Sequence, residues 1–166
     1  MVAEATFPCP GCGAEFAAFD GPVHEYMESS PGCWRAFGEV LAREYGDPDL
    51  FAVHRLTVDA YAVQHPGGES RQAIQSVGVH LVRLCLFLEQ DLSPDEANAA
   101  MLRAGRTKAS MFKLPRPQSL GTVTVADVLA TDSKEAHART VRQWAGSAWQ
   151  AWEASHEIIR RWAGST

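Results

Sequence analysis

Between Ser70 and Gln90 the apolar residues Ile74, Val77, Leu81, Leu84 and Leu88 recur at spacings of 3, 4, 3 and 4, and Val79, Val82, Cys85, Leu86 and Phe87 make the other faces apolar too. A helix that is apolar nearly all round is stable in water only when other elements cover it on several sides. The segment therefore predicts a central helix, capped by Ser70, inside a bundle. Its apolar character is interrupted by His80 and Arg83, so it is not a candidate to span a membrane.

The remaining punctuation places the covering helices. Ser30-Pro31 is an N-cap followed by proline in the first turn, and Gly46 can terminate, which predicts a helix from Pro31 to Tyr45 with the stripe Trp34, Phe37, Leu41, Tyr45. Asp47-Pro48 repeats the start signal, and Pro66-Gly67-Gly68 ends a second helix near His65, with His54, Val58, Tyr61 and His65 on one face. Ser93-Pro94-Asp95-Glu96 reads as a capping box for a short helix that Gly105 can close. Lys113 to Thr122, with two prolines and a glycine, reads as a loop, and Thr124 to Asp127 as the cap of a further short helix or, alternatively, as an extended piece. Asp132-Ser-Lys-Glu135 is a second capping box and predicts a long helix to about Trp162, with Val141, Trp144, Ala148, Trp152, Ser155, Ile159 and Trp162 on one side. Aromatic residues at that spacing are core before they are a ligand cage. Arg160 and Arg161 near its end read as charge that complements the helix dipole. The expected fold class is all-α: a bundle of about four main helices with an N-terminal Cys-rich zinc knuckle. One domain, 1–166, is expected, divided into a knuckle arm (1–30), core helices (31–92), a short helix and basic loop (93–131) and a long C-terminal helix (132–163).

Size and composition agree. The 166 residues, 46% of them hydrophobic, can bury roughly 70% of the surface of the unfolded chain. The N-terminal Met-Val-Ala-Glu-Ala-Thr-Phe has neither a basic region nor an apolar run, so a cytoplasmic location without a membrane is the expectation. The formal net charge is −5, yet residues 97–126 carry five bases and no acid before Asp127: Arg103, Arg106, Lys108, Lys113 and Arg116. This island reads as a helix end and its loop, or as a contact for a small anion. Duplex nucleic acid is an unsuitable partner for so acidic a chain.

Cys9-Pro-Gly-Cys12 carries the strongest chemical signal. Two thiolates three positions apart on a tight turn can grip one tetrahedral zinc ion, with Gly11 and Gly13 letting the backbone wrap round it. Cys33, in the first turn of a helix capped by Ser30, is the third candidate ligand, because the positive end of the dipole favours thiolate. If the first two helices are antiparallel about Gly46-Asp47, level residues have numbers summing to about 93, so His65 falls about one turn from Cys33 whereas His54 is displaced by about 9 Å. His65 is favoured as the fourth ligand, with His24 as the alternative; Cys85 lies too deep in the central helix. Two other readings stay open, a redox dithiol at Cys9 and Cys12 and a merely buried Cys33.

The same reflection applied to the second and third helices puts His54 within half a turn of His80. His80 lies among apolar residues and needs a partner; Asp59, Tyr61 and His156 are the candidates. The pair reads as a packing device, as a second metal site of His54, His80, Asp59 and His156, or as an acid–base group. It also marks the expected pocket for a small molecule or a protein.

The motifs resemble a known family. Cys9-Pro-Gly-Cys12, His24-Glu-Tyr26, Ser30-Pro-Gly-Cys-Trp34, Val53-His-Arg-Leu-Thr-Val-Asp-Ala-Tyr61 running into Gln64-His-Pro66, and Ser76-Val-Gly-Val-His-Leu81 are similar to the bacterial family of unknown function numbered 5946. The resemblance implies kinship without a reaction, and picks out Cys9, Cys12, His24, Cys33, His54, Asp59, His65 and His80 as its matching positions. The architecture also looks like the DinB-like metal-dependent bundles, some of them thiol transferases, although the last helix here offers His156 where those bundles carry a spaced histidine pair. The expectation is thus a zinc-binding helical protein with mainly structural zinc; the alternative is a metal-dependent enzyme, a hydrolase or thiol transferase, using His54 and His80.

Overall fold

The computed structural model describes residues 5–164. Two short antiparallel strands, β1 (Thr6–Pro8) and β2 (Glu15–Ala17), pair Phe7 with Phe16 and flank the cysteine turn. Eight helices follow: α1 (Pro31–Gly46), α2 (Pro48–Phe51), α3 (His54–Gln64), α4 (Arg71–Glu89), α5 (Pro94–Ala104), α6 (Val125–Leu129), α7 (Lys134–Ala151) and α8 (His156–Gly164). The fold is all-α apart from that hairpin. The hairpin leaves no mark in the sequence pattern because three residues per strand are too few to show a period. A two-stranded hairpin is marginal alone; here Phe16 packs so closely on α1 that a Cβ at Gly32 would come within 2.7 Å of the Phe16 Cβ.

The caps act as the sequence predicts. Ser30, Ser70 and Ser93 each accept a hydrogen bond from the backbone N–H three residues on, and Ser93 and Glu96 form a complete capping box. Thr124 and Asp127 form another, so that segment is helical rather than extended. The long C-terminal helix begins one residue later than its sequence suggests: Ser133, not Asp132, is the N-cap, and its side chain accepts from the Ala136 N–H.

Three expectations require correction. The helix expected from Pro48 to His65 is two helices, with Ala52 and Val53 between them. The helix expected to reach Trp162 is broken by a 3₁₀ turn at Glu153–Ser155. Neither break coincides with proline or glycine. At the second one the Trp149 carbonyl is taken by the His156 ring N–H at 2.9 Å and by the Trp152 backbone N–H at 3.0 Å, which closes the helix locally. The third concerns α1, which buries Cys33, Ala36, Phe37, Val40 and Glu44 and leaves Tyr45 exposed, a rotation of the expected stripe.

In the core α3 packs against α4 and α7, α4 against α8, and α1 against α6. Val141, Trp144, Ala148, Trp152, Ser155, Ile159 and Trp162 are all buried as one continuous side in spite of the break. Two buried polar residues tie the layers together. Gln64, at the end of α3, donates to the Leu120 and Val123 carbonyls and accepts the Trp144 indole N–H at 2.7 Å. Glu44, fully buried on α1, accepts from His137 of α7 at 3.0 Å, from His54 of α3 at 2.9 Å and from the Thr57 hydroxyl at 2.5 Å. Among the described residues no helix is long and apolar enough to cross a membrane.

Removing the Glu44 carboxylate leaves two imidazoles and a hydroxyl without their shared acceptor. Glu44→Ala is expected to cost about 3–5 kcal/mol, measured as a shift of the urea midpoint; a loss below about 1 kcal/mol would mean that the network does not hold α1, α3 and α7 together.

Candidate metal centre

Three separate stretches of chain converge at the N-terminal end of α1. The first is the turn after β1, closed by hydrogen bonds from the Cys9 N–H to the Ala14 carbonyl at 2.8 Å and from the Gly13 N–H to the Cys9 carbonyl at 2.9 Å. Gly13 there has φ = +75°, a conformation glycine adopts freely. The second is the first turn of α1, where the cap bond from the Cys33 N–H to the Ser30 hydroxyl fixes the cysteine. The third is His65, just past the end of α3.

The Sγ atoms of Cys9, Cys12 and Cys33 and a ring nitrogen of His65 all lie within 4.8 Å of one another, a Cys3His cluster that could hold a metal ion. All four cysteines are free. Cys12 Sγ is 3.8 Å from Cys33 Sγ, and Cys33 Sγ is 3.3 Å from His65 Nε2. A tetrahedral ion with metal–sulfur bonds of about 2.3 Å and a metal–nitrogen bond of about 2.0 Å needs edges of about 3.8 Å between sulfurs and about 3.5 Å between sulfur and nitrogen. The two distances are those edges to within a few tenths of an ångström. A hydrogen bond sets the orientation of His65. Its Nδ1–H donates to the Tyr61 carbonyl at 2.7 Å, which leaves the Nε2 lone pair facing the sulfurs. The ring is also stacked on Tyr61, centroids 3.9 Å apart, and Tyr61 in turn on Phe37.

Crowding perturbs the thiols. Hydrogen bonds from Cys12 and then from Cys33 hold Cys9 far below the ordinary thiol range. Cys33 is pushed far above it by Cys12, then by Cys9 and burial. Burial, then the adjacent Cys33, pushes Tyr61 up as well, so its hydroxyl stays protonated; it is hydrogen-bonded with Cys33 Sγ at 3.6 Å. The Ser30 N–H also points at Cys9 Sγ, 3.5 Å away. One thiolate forms readily in this nest and further ones are resisted, the charge pattern that a bound cation relieves.

The other expected site residues go elsewhere. His24 accepts from the Tyr26 N–H at 3.3 Å and packs edge-on against Trp34; burial lowers its pKa, and it is outside the cluster. His54 and His80 bond different carboxylates: His54 bonds Glu44, whereas His80 Nδ1–H donates to the fully buried Asp59 at 2.6 Å, with Arg83 at 3.3 Å from the same oxygen. His156 stacks on Trp149. Among the described residues these four do not form a group of metal-capable donors. The expected meeting of His54 with His80 does not occur, because His54 turns to Glu44 of α1 while Asp59, farther along α3, is the residue that reaches His80 of α4. His80 does line a cleft of about 220 Å³ with Gln72, Gln75, Ser76 and Lys108. The basic island divides: Lys113 pairs with Glu69, Arg116 with Glu28 and the Pro10 carbonyl, while Arg103 and Arg106 are exposed. Glu44, Gln64 and His137 are not legible in the sequence, since polar residues on otherwise apolar helix faces carry no spacing signal.

The sequence profile of the Family of unknown function (DUF5946) matches residues 8–153, and the chain belongs to that family. No curated protein and no solved structure matches it.

The turn leaves room for glycine alone at position 11, where a Cβ would fall 2.6 Å from the Glu28 carbonyl and 2.8 Å from that of Gln64, and would strike the His65 ring. At Gly13 a Cβ would meet open space. Gly11→Ala is therefore expected to cost about 1–3 kcal/mol and to displace His65, whereas Gly13→Ala costs only the backbone strain of about 1–2 kcal/mol. Thermal melts read the first effect, and the Nε2 shift of His65 in nitrogen NMR separates the two: Gly11→Ala moves it and Gly13→Ala does not.

Proposed function

We propose that this member of the family holds one zinc ion through Cys9, Cys12, Cys33 and His65, and that the ion is structural. The observation that carries the reading is the convergence of four soft or borderline donors from three segments at tetrahedral spacing. Thiolate-rich, four-donor sets suit zinc, and a set with no open position suits a structural role. Cys9, Cys33 and His65 are buried, which leaves little access for a substrate. The ion would staple the cysteine turn to the start of α1 and the end of α3, and its binding energy would be part of the folding energy. The biological role on this reading is a binding module built on a zinc-stabilised helical scaffold.

The test is elemental analysis of the chelator-rinsed protein together with thermal melts. One zinc per chain is expected. At free zinc a thousandfold above Kd, binding contributes about 4 kcal/mol, so stripping it should lower Tm by about 8–16 °C for a chain of this size. His65→Ala should lose the ion, while His54→Ala should retain it although it loosens the Glu44 network. Full retention of zinc by His65→Ala would overturn the ligand set.

A second reading, acid–base chemistry at His80, is favoured by one observation. The imidazole is oriented by a buried carboxylate at Nδ1, and the residue lines an open cleft. On this reading His80 should react with diethyl pyrocarbonate several times faster than a free imidazole at neutral pH, and Asp59→Asn should slow it to the ordinary rate or below. A modification rate at or below that of the free imidazole in the unmutated protein would count against it.

A further inference from the structure

The apolar period that makes α4 a central helix is left uncovered at its N-terminal half. Leu81 and Leu84 are fully buried, whereas Ile74 and Val77 are only partly so. Both face a cavity of about 450 Å³ between α4, the segment Tyr26–Glu28 and the stretch Phe112–Arg116, with the Trp152 indole in its wall. That volume lies in the range of small-molecule sites, roughly 300–1,000 Å³. Glycine lets the walls of the cavity pack closely on their neighbours: a Cβ at Gly78 would sit 2.6 Å from the Met111 sulfur, and one at Gly67 would strike the Tyr26 carbonyl.

The charged residues of the lining decide what would enter. They are Glu25, Glu28, Lys113 and Arg116. Arg116 is engaged by Glu28 at 2.5 Å and by the Pro10 carbonyl at 2.6 Å, and Lys113 is engaged by Glu69. Glu25 makes no hydrogen bond or ion pair among the described residues. The unmatched charge at the rim is therefore a carboxylate, in a chain whose net charge is −5. Tyr26, Phe112 and Trp152 are among the lining residues, and aromatic rings attract cations rather than anions at their faces.

We infer that this cavity binds a small amphipathic organic cation, an alkylammonium or arylammonium, with its hydrocarbon body against Ile74, Val77 and Trp152 and its ammonium directed to Glu25. The cavity includes none of the Cys3His residues and shares only Tyr26 with the cleft beside His80, and the inference does not depend on which metal the cluster holds.

The experiment is calorimetric titration of the full metal-loaded chain with octylammonium, octanol and octanoate, three probes that share a tail and differ in charge. Saturable one-to-one binding of octylammonium is expected, about fivefold to tenfold tighter than octanoate, since the single exposed carboxylate contributes modestly. Glu25→Gln should bring octylammonium and octanoate to within about twofold. Ile74→Trp fills the cavity from a position that is not in the sealed core, and should weaken all three probes more than tenfold with far-UV circular dichroism and the cooperativity of the thermal melt unchanged. Should that variant misfold, Val77→Phe makes the same test. Octanoate binding as tightly as octylammonium would overturn the cationic assignment, and undiminished binding by the filled variants would overturn the site.

Discussion

Three thiols and an imidazole share a volume less than 5 Å across, and this proximity is the constraint on which the N-terminal third of the chain depends. Like groups so close resist simultaneous ionisation, and the spread of thiol acidities from Cys9 to Cys33 expresses that resistance. The hairpin Thr6–Ala17 has three residue pairs and no core of its own, and its cysteine turn meets the helices through Gly11 and the sulfurs. A metal ion held by the cluster would turn mutual repulsion among thiolates into attraction, and so would fix a hairpin that is marginal alone.

The preparation of His65 reaches back into the bundle. Its ring is aimed by the Tyr61 carbonyl one turn earlier and supported by the stack of Phe37 and Tyr61. The residue before it, Gln64, is bonded to Trp144 of α7 and to the loop carbonyls of Leu120 and Val123. The end of α3 is thereby held from two sides, and Glu44 does the same for its beginning by gripping His54 and Thr57. Such buried polar residues are tolerable only because each finds partners, and once satisfied they specify one packing among several that apolar contact alone would allow.

Much of this is legible in the residues. Serine caps, with glycine beyond some helix ends, act over three or four positions, so the starts of α1, α4 and α5 follow directly, whereas the Thr124 cap of α6 competes with an extended reading. The spacing of Cys9 and Cys12, with Cys33 at a capped helix start, points to one cluster, and counting residues around a hairpin brings His65 to it. That count brings His65 to Cys33 in spite of the break at Ala52–Val53 that it crosses. The count about the turn between α3 and α4 gives nearly the right level, since Asp59 reaches His80, but it does not fix which way His54 faces, and so the expected meeting of His54 with His80 gives way to two separate carboxylate partners. The pocket lies away from its expected place because the periodicity of Ile74–Leu88 implies uniform cover, whereas Ile74 and Val77 on its first turns line a cavity.

By itself the sequence determined what acts locally: helix caps, apolar periodicity, the thiol pair on its turn and a net acidic charge. Only the tertiary structure decided where helices break without proline or glycine, which carboxylate each histidine finds, and which part of an apolar stripe stays open. The physical reason is that these outcomes depend on partners far away in the chain. Glu44 meets His137 across 93 residues and Gln64 meets Trp144 across 80, and no local spacing encodes a contact whose energy exists only after the layers have packed.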